Sequence, residues 1–392
     1  MPGARSLPIR SFDIYCQVVD NLGDAGVAWR LARQLASQFS AQVRFWIDQP
    51  QTLARIAPGA APGVRLHEVQ IFHWDAGTSP VDCAQVVISA FGCNLPATVR
   101  KSIGAEHPPI WINLEYLSAE DWIDGCHGLA SRKPGDAAIE YFYYPGFTER
   151  SGGLIREQSL FDQRDAFLQG QLALPWLREQ GIDARPAETR ISLFCYPQAP
   201  ALELFVQLEQ ATQPIHLLIP EAVADEHVQA FLGEQLQTGQ SRLRGNLRIE
   251  RIPMLEQSQY DRVLWSCSLN FVRGEDSWIR AVWSGIPFVW QPYRQAADLH
   301  RVKLDAFLNR LKTLASSADQ ADQTALFATA ADLMRAWSDA STMVDALPSM
   351  LRRLPALAPI YRRIAARQAE QSDLAHRLLG FCAAIEHTRR NS

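Results

Sequence analysis

Two short stretches hold the side chains that could do chemistry. The first is VVDNLGDAGVAWRLARQL, residues 18–35. An apolar run ends near Val19, the loop D-N-L-G-D-A-G follows, and a helical pattern then begins. Ligands of open α/β sheets bind beyond the carboxyl ends of the strands, so a carboxylate at that edge can act as a general base. Asp20 stands at the strand tip and Asp24 one helical turn on. The plainer alternative is that Asp24 caps the helix and Asp20 holds the turn. Gly23 and Gly26 suit a tight turn close to the helix N-terminus. The loop is not a GxGxxG fingerprint, so no nicotinamide cofactor is implied. Two aspartates without an evident third ligand make a poor metal site.

The second stretch is FVRGEDSWIRAVWSGIPFVWQPY, residues 271–293. Arg273, Gly274, Glu275, Asp276 and Ser277 occupy a turn between an apolar strand and a short helix, SWIRAVWSG. Ile279, Val282 and Trp283 make the apolar face of that helix, and Gly285 ends it. Its N-terminus offers unpaired N–H groups and a favourable dipole to a phosphate or diphosphate. Arg273 can add a bidentate contact to the same anion. Glu275 and Asp276 would repel a phosphate. They suit sugar hydroxyls or a cationic group, or else only complement the helix dipole.

Such turns need strands and helices behind them. Apolar runs at 12–19, 43–47, 85–91 and 109–116 predict strands in the first half of the chain, and runs at 190–196, 215–220, 247–253, 267–272 and 286–292 predict them in the second. Most are apolar on both faces, as expected of parallel strands covered by helices. In GVAWRLARQLASQF, Val27, Leu31 and Leu35 fall on one helical stripe, with Arg30, Arg33 and Gln34 elsewhere. The β–α alternation predicts two doubly wound, Rossmann-like α/β domains, and a chain of 392 residues is long enough for both. The domains are expected at 1–178 and 188–361, with a linker near 175–190. A helix over 362–392 is expected to pack back on the first domain.

Charge is nearly balanced at formal −4, which argues against a nucleic-acid or anionic-membrane partner. The seven cysteines are widely spaced with no CxxC, as in a reduced cytoplasmic protein, and the histidines lack HxxxH or HExxH spacing. No signal-peptide pattern opens the chain, and no run approaches the roughly 20 apolar residues of a membrane span.

The strings DNLGDAGVAWRLARQL and FVRGEDSWIRAVWSGIPFVWQPY, with FDIYCQVVDN, WINLEYLSAEDW and ISLFCYP in order between and around them, resemble the EarP family of bacterial protein-arginine rhamnosyltransferases. The resemblance runs over nearly the whole chain. It implies a GT-B fold, two Rossmann-like domains facing across a cleft. It also implies inverting transfer of L-rhamnose from TDP-β-L-rhamnose to an arginine of translation elongation factor P, with no metal and no other cofactor. By resemblance Asp20 is the base, and Asp24 supports geometry or acceptor binding. Asn21 and Gly23 of the same loop count as substrate-binding. Arg273, Gly274, Glu275, Asp276 and Ser277 hold the diphosphate and position the sugar, with Glu275 counted among the catalytic residues. Phe194 and Tyr260 hold the thymine, Tyr196 and Gln291 lie near the sugar and phosphates, and Asn113 is a sugar or cleft contact. Tyr260 stands where the family often has phenylalanine. Two other classes stay open: a sugar-nucleotide epimerase of the same fold, and a non-catalytic nucleotide-sugar-binding protein.

Overall fold

The computed structural model describes residues 9–391 except 21, 80–81, 104–107, 133–137, 296–297 and 317–319, with 320–324 as backbone only. Asn21, one of the expected substrate contacts, lies outside the described residues.

Residues 1–158 and 371–392 form one unit and 159–370 a second. The first unit runs β1 (Ser11–Cys16), α1 (Leu22–Phe39), β2 (Gln42–Ile47), α2 (Pro50–Ile56), β3 (Arg65–Leu66), β4 (Val69–His73), β5 (Val86–Ala90), α3 (Ala97–Ile103), β6 (Ile110–Leu114), α4 (Ile123–Cys126), β7 (Ala130–Ser131) and β8 (Glu140–Tyr143). The second runs α5 (Leu160–Gln169), α6 (Ala173–Glu179), β9 (Thr189–Leu193), α7 (Ala201–Glu209), β10 (Ile215–Pro220), α8 (Asp225–Leu232), β11 (Ser241–Arg244), β12 (Leu247–Ile252), α9 (Gln257–Ser266), β13 (Leu269–Arg273), α10 (Asp276–Ser284), β14 (Phe288–Gln291), α11 (Leu299–Ala315), α12 (Gln320–Asp339) and α13 (Ala346–Gln368). The closing helix, α14 (Leu374–Asn391), returns to the first unit.

Each unit is built on a mostly parallel sheet. The first has strand order β3-β4-β2-β1-β5-β6-β8-β7, and only the edge pairs β3–β4 and β7–β8 are antiparallel. The second has order β11-β12-β10-β9-β13-β14, with only β11–β12 antiparallel. The central strands β5 and β10 are buried along their whole length, and apart from Ser89 and His216 their residues are apolar on both faces, as in a sheet covered by helices. In both sheets the chain leaves its first strand in one direction and later returns to that strand's other side. The first sheet therefore reverses between β1 and β5, and the second between β9 and β13. All nine strands expected from the apolar runs are present; six end one to three residues early, β2 and β10 end as expected, and β13 runs one residue further.

The expected polar face of α1 is not exposed. Arg30 is buried and pairs with Glu157 at 3.1 Å. Gln34, also buried, donates to the Arg156 carbonyl at 2.7 Å and to Asp373 Oδ1 at 3.0 Å. The chain at 156–157 and the residue leading into α14 supply the partners that buried polar groups require.

The units divide at 158/159, earlier than the linker expected near 175–190. The reason is that α5 and α6 pack onto the second unit. Phe167 sits 5.7 Å from Trp265 between ring centroids, Arg262 lies over Trp176, and Arg164 donates to the Trp283 carbonyl at 2.8 Å. At the other end α13 stays with the second unit, so the return begins at 371 and not near 362. Phe381 of α14 lies against Tyr141 and Tyr143, and the Tyr143 hydroxyl donates to the Leu374 carbonyl.

Candidate active site

In the first unit the chemistry-bearing loop leaves β1 at the point where the strand order reverses. This is the position at which open α/β sheets bind ligands. Gly23 N–H donates to the Asp20 carbonyl at 2.8 Å, so the loop closes in one tight turn before α1. A Cβ added to Gly23 would stand 2.8 Å from Asp20 Oδ2. The Asp20 carboxylate is thus folded over the first turn of α1, and a side chain at position 23 would have to displace it. Asp24 is buried and reaches back: its Oδ2 accepts the N–H of Val19 at 2.8 Å and of Asp20 at 2.7 Å. This is the logic of a capping box, with an acid in the first turn holding N–H groups just before it. Burial pushes the Asp24 carboxyl up, against the lowering pull of those N–H groups and of the Tyr116 hydroxyl.

Tyr116 and Phe91 were not singled out by the sequence reading. Phe91 follows β5 with a left-handed φ of 58°, and its ring stacks on Tyr116 at 4.6 Å and 19°. A bulky residue in that region is strained and persists only where its surroundings impose it. Asp48, directly after β2, was also missed; its Oδ1 accepts the Val18 N–H at 2.9 Å. The available signal was a polar residue at the tip of the strand beside β1. Asn113 lies buried in β6 and its side chain bonds Glu115. Burial pushes the Glu115 carboxyl up, and the charge of Glu140 adds to this.

In the second unit the strand order reverses between β9 and β13, and the expected donor residues gather there. Arg273 ends β13. Its guanidinium lies 4.6 Å from the Phe194 ring and 4.7 Å from the Tyr196 ring, and it donates to the Cys195 carbonyl at 3.0 Å. Both rings follow β9. Two aromatic faces thus immobilise a cation whose five N–H donors exceed that single contact. Gln291, at the end of β14, accepts the Tyr196 N–H at 2.9 Å, and Tyr260 of α9 lies 5.7 Å from Phe194. The Tyr260 hydroxyl is buried with no hydrogen-bond partner among the described residues, and burial pushes its acidity down.

The turn itself is tied from several sides. Gly274 takes φ 58°, and its carbonyl accepts Trp290 Nε1 at 2.9 Å. Trp290 in turn stacks on Trp278. The Ser277 hydroxyl donates to the Arg273 carbonyl and accepts the Arg273 N–H, so this side chain braces the turn. Asp276 opens α10, and its Oδ2 accepts from Gln257 Nε2 at 2.9 Å. Gln257, at the start of α9, had no signal in the sequence. Glu275 occupies the N-cap position of α10.

Among the described residues, no three His, Cys, Asp or Glu side chains are grouped to hold a metal ion, and no helix is long and apolar enough to cross a membrane.

Two doubly wound α/β units, each with a charged strand-to-helix turn where its strand order reverses, make up the GT-B class of fold. Comparison with known proteins narrows this. The family described as Elongation-Factor P (EF-P) rhamnosyltransferase EarP matches residues 12–383, and the chain belongs to that family. It is 42% identical over 388 residues to a protein-arginine rhamnosyltransferase of Pseudomonas putida, covering 97% of this chain and 99% of that protein. A protein-arginine rhamnosyltransferase of Pseudomonas aeruginosa is 42% identical over 380 residues, 95% of this chain and 99% of the relative. A solved structure showing the basis of EarP-mediated arginine glycosylation of translation elongation factor EF-P is 32% identical, with TM-score 0.65 over 97% of this chain and 99% of that one. These matches favour a transferase over the epimerase and the non-catalytic binding protein.

Proposed function

We propose that this protein transfers L-rhamnose from TDP-β-L-rhamnose to the guanidine of one arginine of translation elongation factor P, inverting the anomeric centre, in the cytoplasm and without a metal. The observation that carries the reading is the opposite chemistry of the two switch points. One presents Asp20 on a braced loop, and the other presents Arg273 between two aromatic faces beside a helix N-terminus.

A guanidinium is a poor nucleophile because it is protonated and delocalised. Asp20 pairs with it, orients one nitrogen and accepts its proton as the bond to the sugar forms. Inversion needs a single displacement on the face opposite the leaving TDP, so no carboxylate nucleophile is required. The departing diphosphate takes up the electron pair. Arg273 and the N-terminus of α10 stabilise that charge. Phe194 and Tyr260 hold the thymine, while Tyr196, Gln291 and Asn113 serve the sugar, the phosphates or the cleft. Glu275 holds a rhamnose hydroxyl or the acceptor guanidinium. Asp24 and Gly23 set the position of Asp20, Gly274 and Ser277 shape the donor turn, and Asp276 does so through Gln257.

Incubation with elongation factor P and TDP-rhamnose should add one deoxyhexose to the intact mass of the factor, localised to an arginine. No mass gain while TDP-rhamnose still binds in calorimetry would leave the donor site standing and remove the acceptor.

A further inference from the structure

Three successive N–H groups, those of Val18, Val19 and Asp20, all end on carboxylates. Asp48 Oδ1 takes the first at 2.9 Å, and Asp24 Oδ2 takes the second at 2.8 Å and the third at 2.7 Å. The Val18 carbonyl is held as well, by Gln49 Nε2 at 3.2 Å. These are charge-assisted bonds, roughly twice as strong as neutral ones. Asp24 is itself held by the Tyr116 hydroxyl, and the Tyr116 ring is pinned against Phe91. The clamp draws on the segments that follow three strands, β2, β5 and β6, and it converges on the loop that β1 sends out. Gly23, whose Cβ would meet the Asp20 carboxylate, closes the fourth side.

A loop between a strand and a helix needs no such outlay merely to turn. Asp24 alone would satisfy the groups just before α1, as capping residues ordinarily do. Spending a second carboxylate on the N–H two residues before Asp20 stiffens the approach to that residue. We propose that Asp48 and Tyr116 are positioning residues for Asp20: Asp48 fixes the loop backbone from the β2 side, and Tyr116 fixes Asp24 from the β6 side. Neither touches the reacting atoms. Each acts by restricting where the Asp20 carboxylate can stand, and misplacing a catalytic group by about 1 Å costs on the order of 10²-fold in rate. The inference rests on the proposed role of Asp20 as base.

The test uses the full chain and reads both turnover and backbone protection. Asp48→Ala should lower kcat by about 10-fold or more, with KM for donor and acceptor little changed, and should speed amide hydrogen exchange at Val18, Val19 and Asp20. Asp48→Asn keeps an oxygen that can accept the Val18 N–H, so it should restore most of the turnover and the protection. Tyr116→Phe keeps the ring against Phe91 and removes only the hydroxyl. It should lower kcat without lowering Tm, and it decides the matter if Asp48→Ala does not fold. Faster exchange with unchanged kcat, a kcat loss that Asp48→Asn does not restore, or unaltered turnover in Tyr116→Phe would overturn the proposal. If the wild-type protein transfers no rhamnose, the functional reading fails on its own. The exchange data then decide the clamp: protection lost in Asp48→Ala supports it, and protection retained overturns it.

Discussion

The ends of β1 and β13 each flank the point where their sheet's strand order reverses, and they are built in opposite senses. Beyond β1 the charges are acidic, and carboxylates brace the backbone that carries Asp20. Beyond β13 the central charge is a cation, and aromatic faces brace its side chain. A short aspartate has little freedom of its own, so its position is set by the main chain. A long arginine carries about 2 kcal/mol of rotamer entropy, so it must be fixed along its length. The same fold therefore fixes a carboxylate by clamping its loop and a guanidinium by stacking its side chain.

Substitutions on each side can break this contrast. Asp20→Asn should show the largest effect. It is expected to lower the rate of transfer by about 10²–10⁴-fold while leaving TDP-rhamnose affinity within twofold, as single-turnover kinetics and calorimetry would show. A large loss of donor affinity would place Asp20 in the donor site and erase the division. Arg273→Ala should act the other way. It is expected to weaken donor binding by about 10- to 100-fold, the scale of a lost hydrogen bond to a charged group. Unchanged affinity would remove Arg273 from the diphosphate.

Smaller changes sharpen the picture. The Tyr260 hydroxyl is buried without a partner among the described residues. Tyr260→Phe should therefore leave donor affinity unchanged and stabilise the fold by about 1 kcal/mol, the lower end of the cost of an unpaired buried polar group. Weaker donor binding in calorimetry would show that the hydroxyl itself meets the donor.

A further contrast concerns the first unit alone. His127 Nδ1 accepts the Tyr144 N–H at 3.1 Å, which requires a neutral ring nitrogen. Burial, and then the charge of Arg377, lower its pKa from 6.5 to about 4. The unfolded chain thus binds the proton more readily, so this stability is present above pH 6.5 and is lost as pH falls through about 4. Thermal melts between those values should fall more steeply for the wild type than for His127→Gln. Parallel slopes would assign the acid sensitivity to other groups, such as the buried His216, whose pKa burial also lowers.

The sequence by itself determined the doubly wound class, the nine principal strands and the two charged turns. Those properties reside in local order: apolar runs buried on both faces, helical stripes between them, and charge placed where a strand hands over to a helix. Its long motifs also carried the family. Tertiary structure decided what the individual charges do. Ser277 and Asp24 stand one helical turn from residues they could serve or merely brace, and only the fold shows their oxygens on backbone N–H groups. Asp48, Tyr116 and Gln257 lie far along the chain from the loops they hold, so no spacing rule reaches them. Arg30 and Gln34 fall on the expected polar stripe of α1, yet the chain at 156–157 and Asp373 bury them. The boundary at 158/159 was set in the same way, by aromatic and arginine contacts of α5 and α6 with residues about a hundred positions further on.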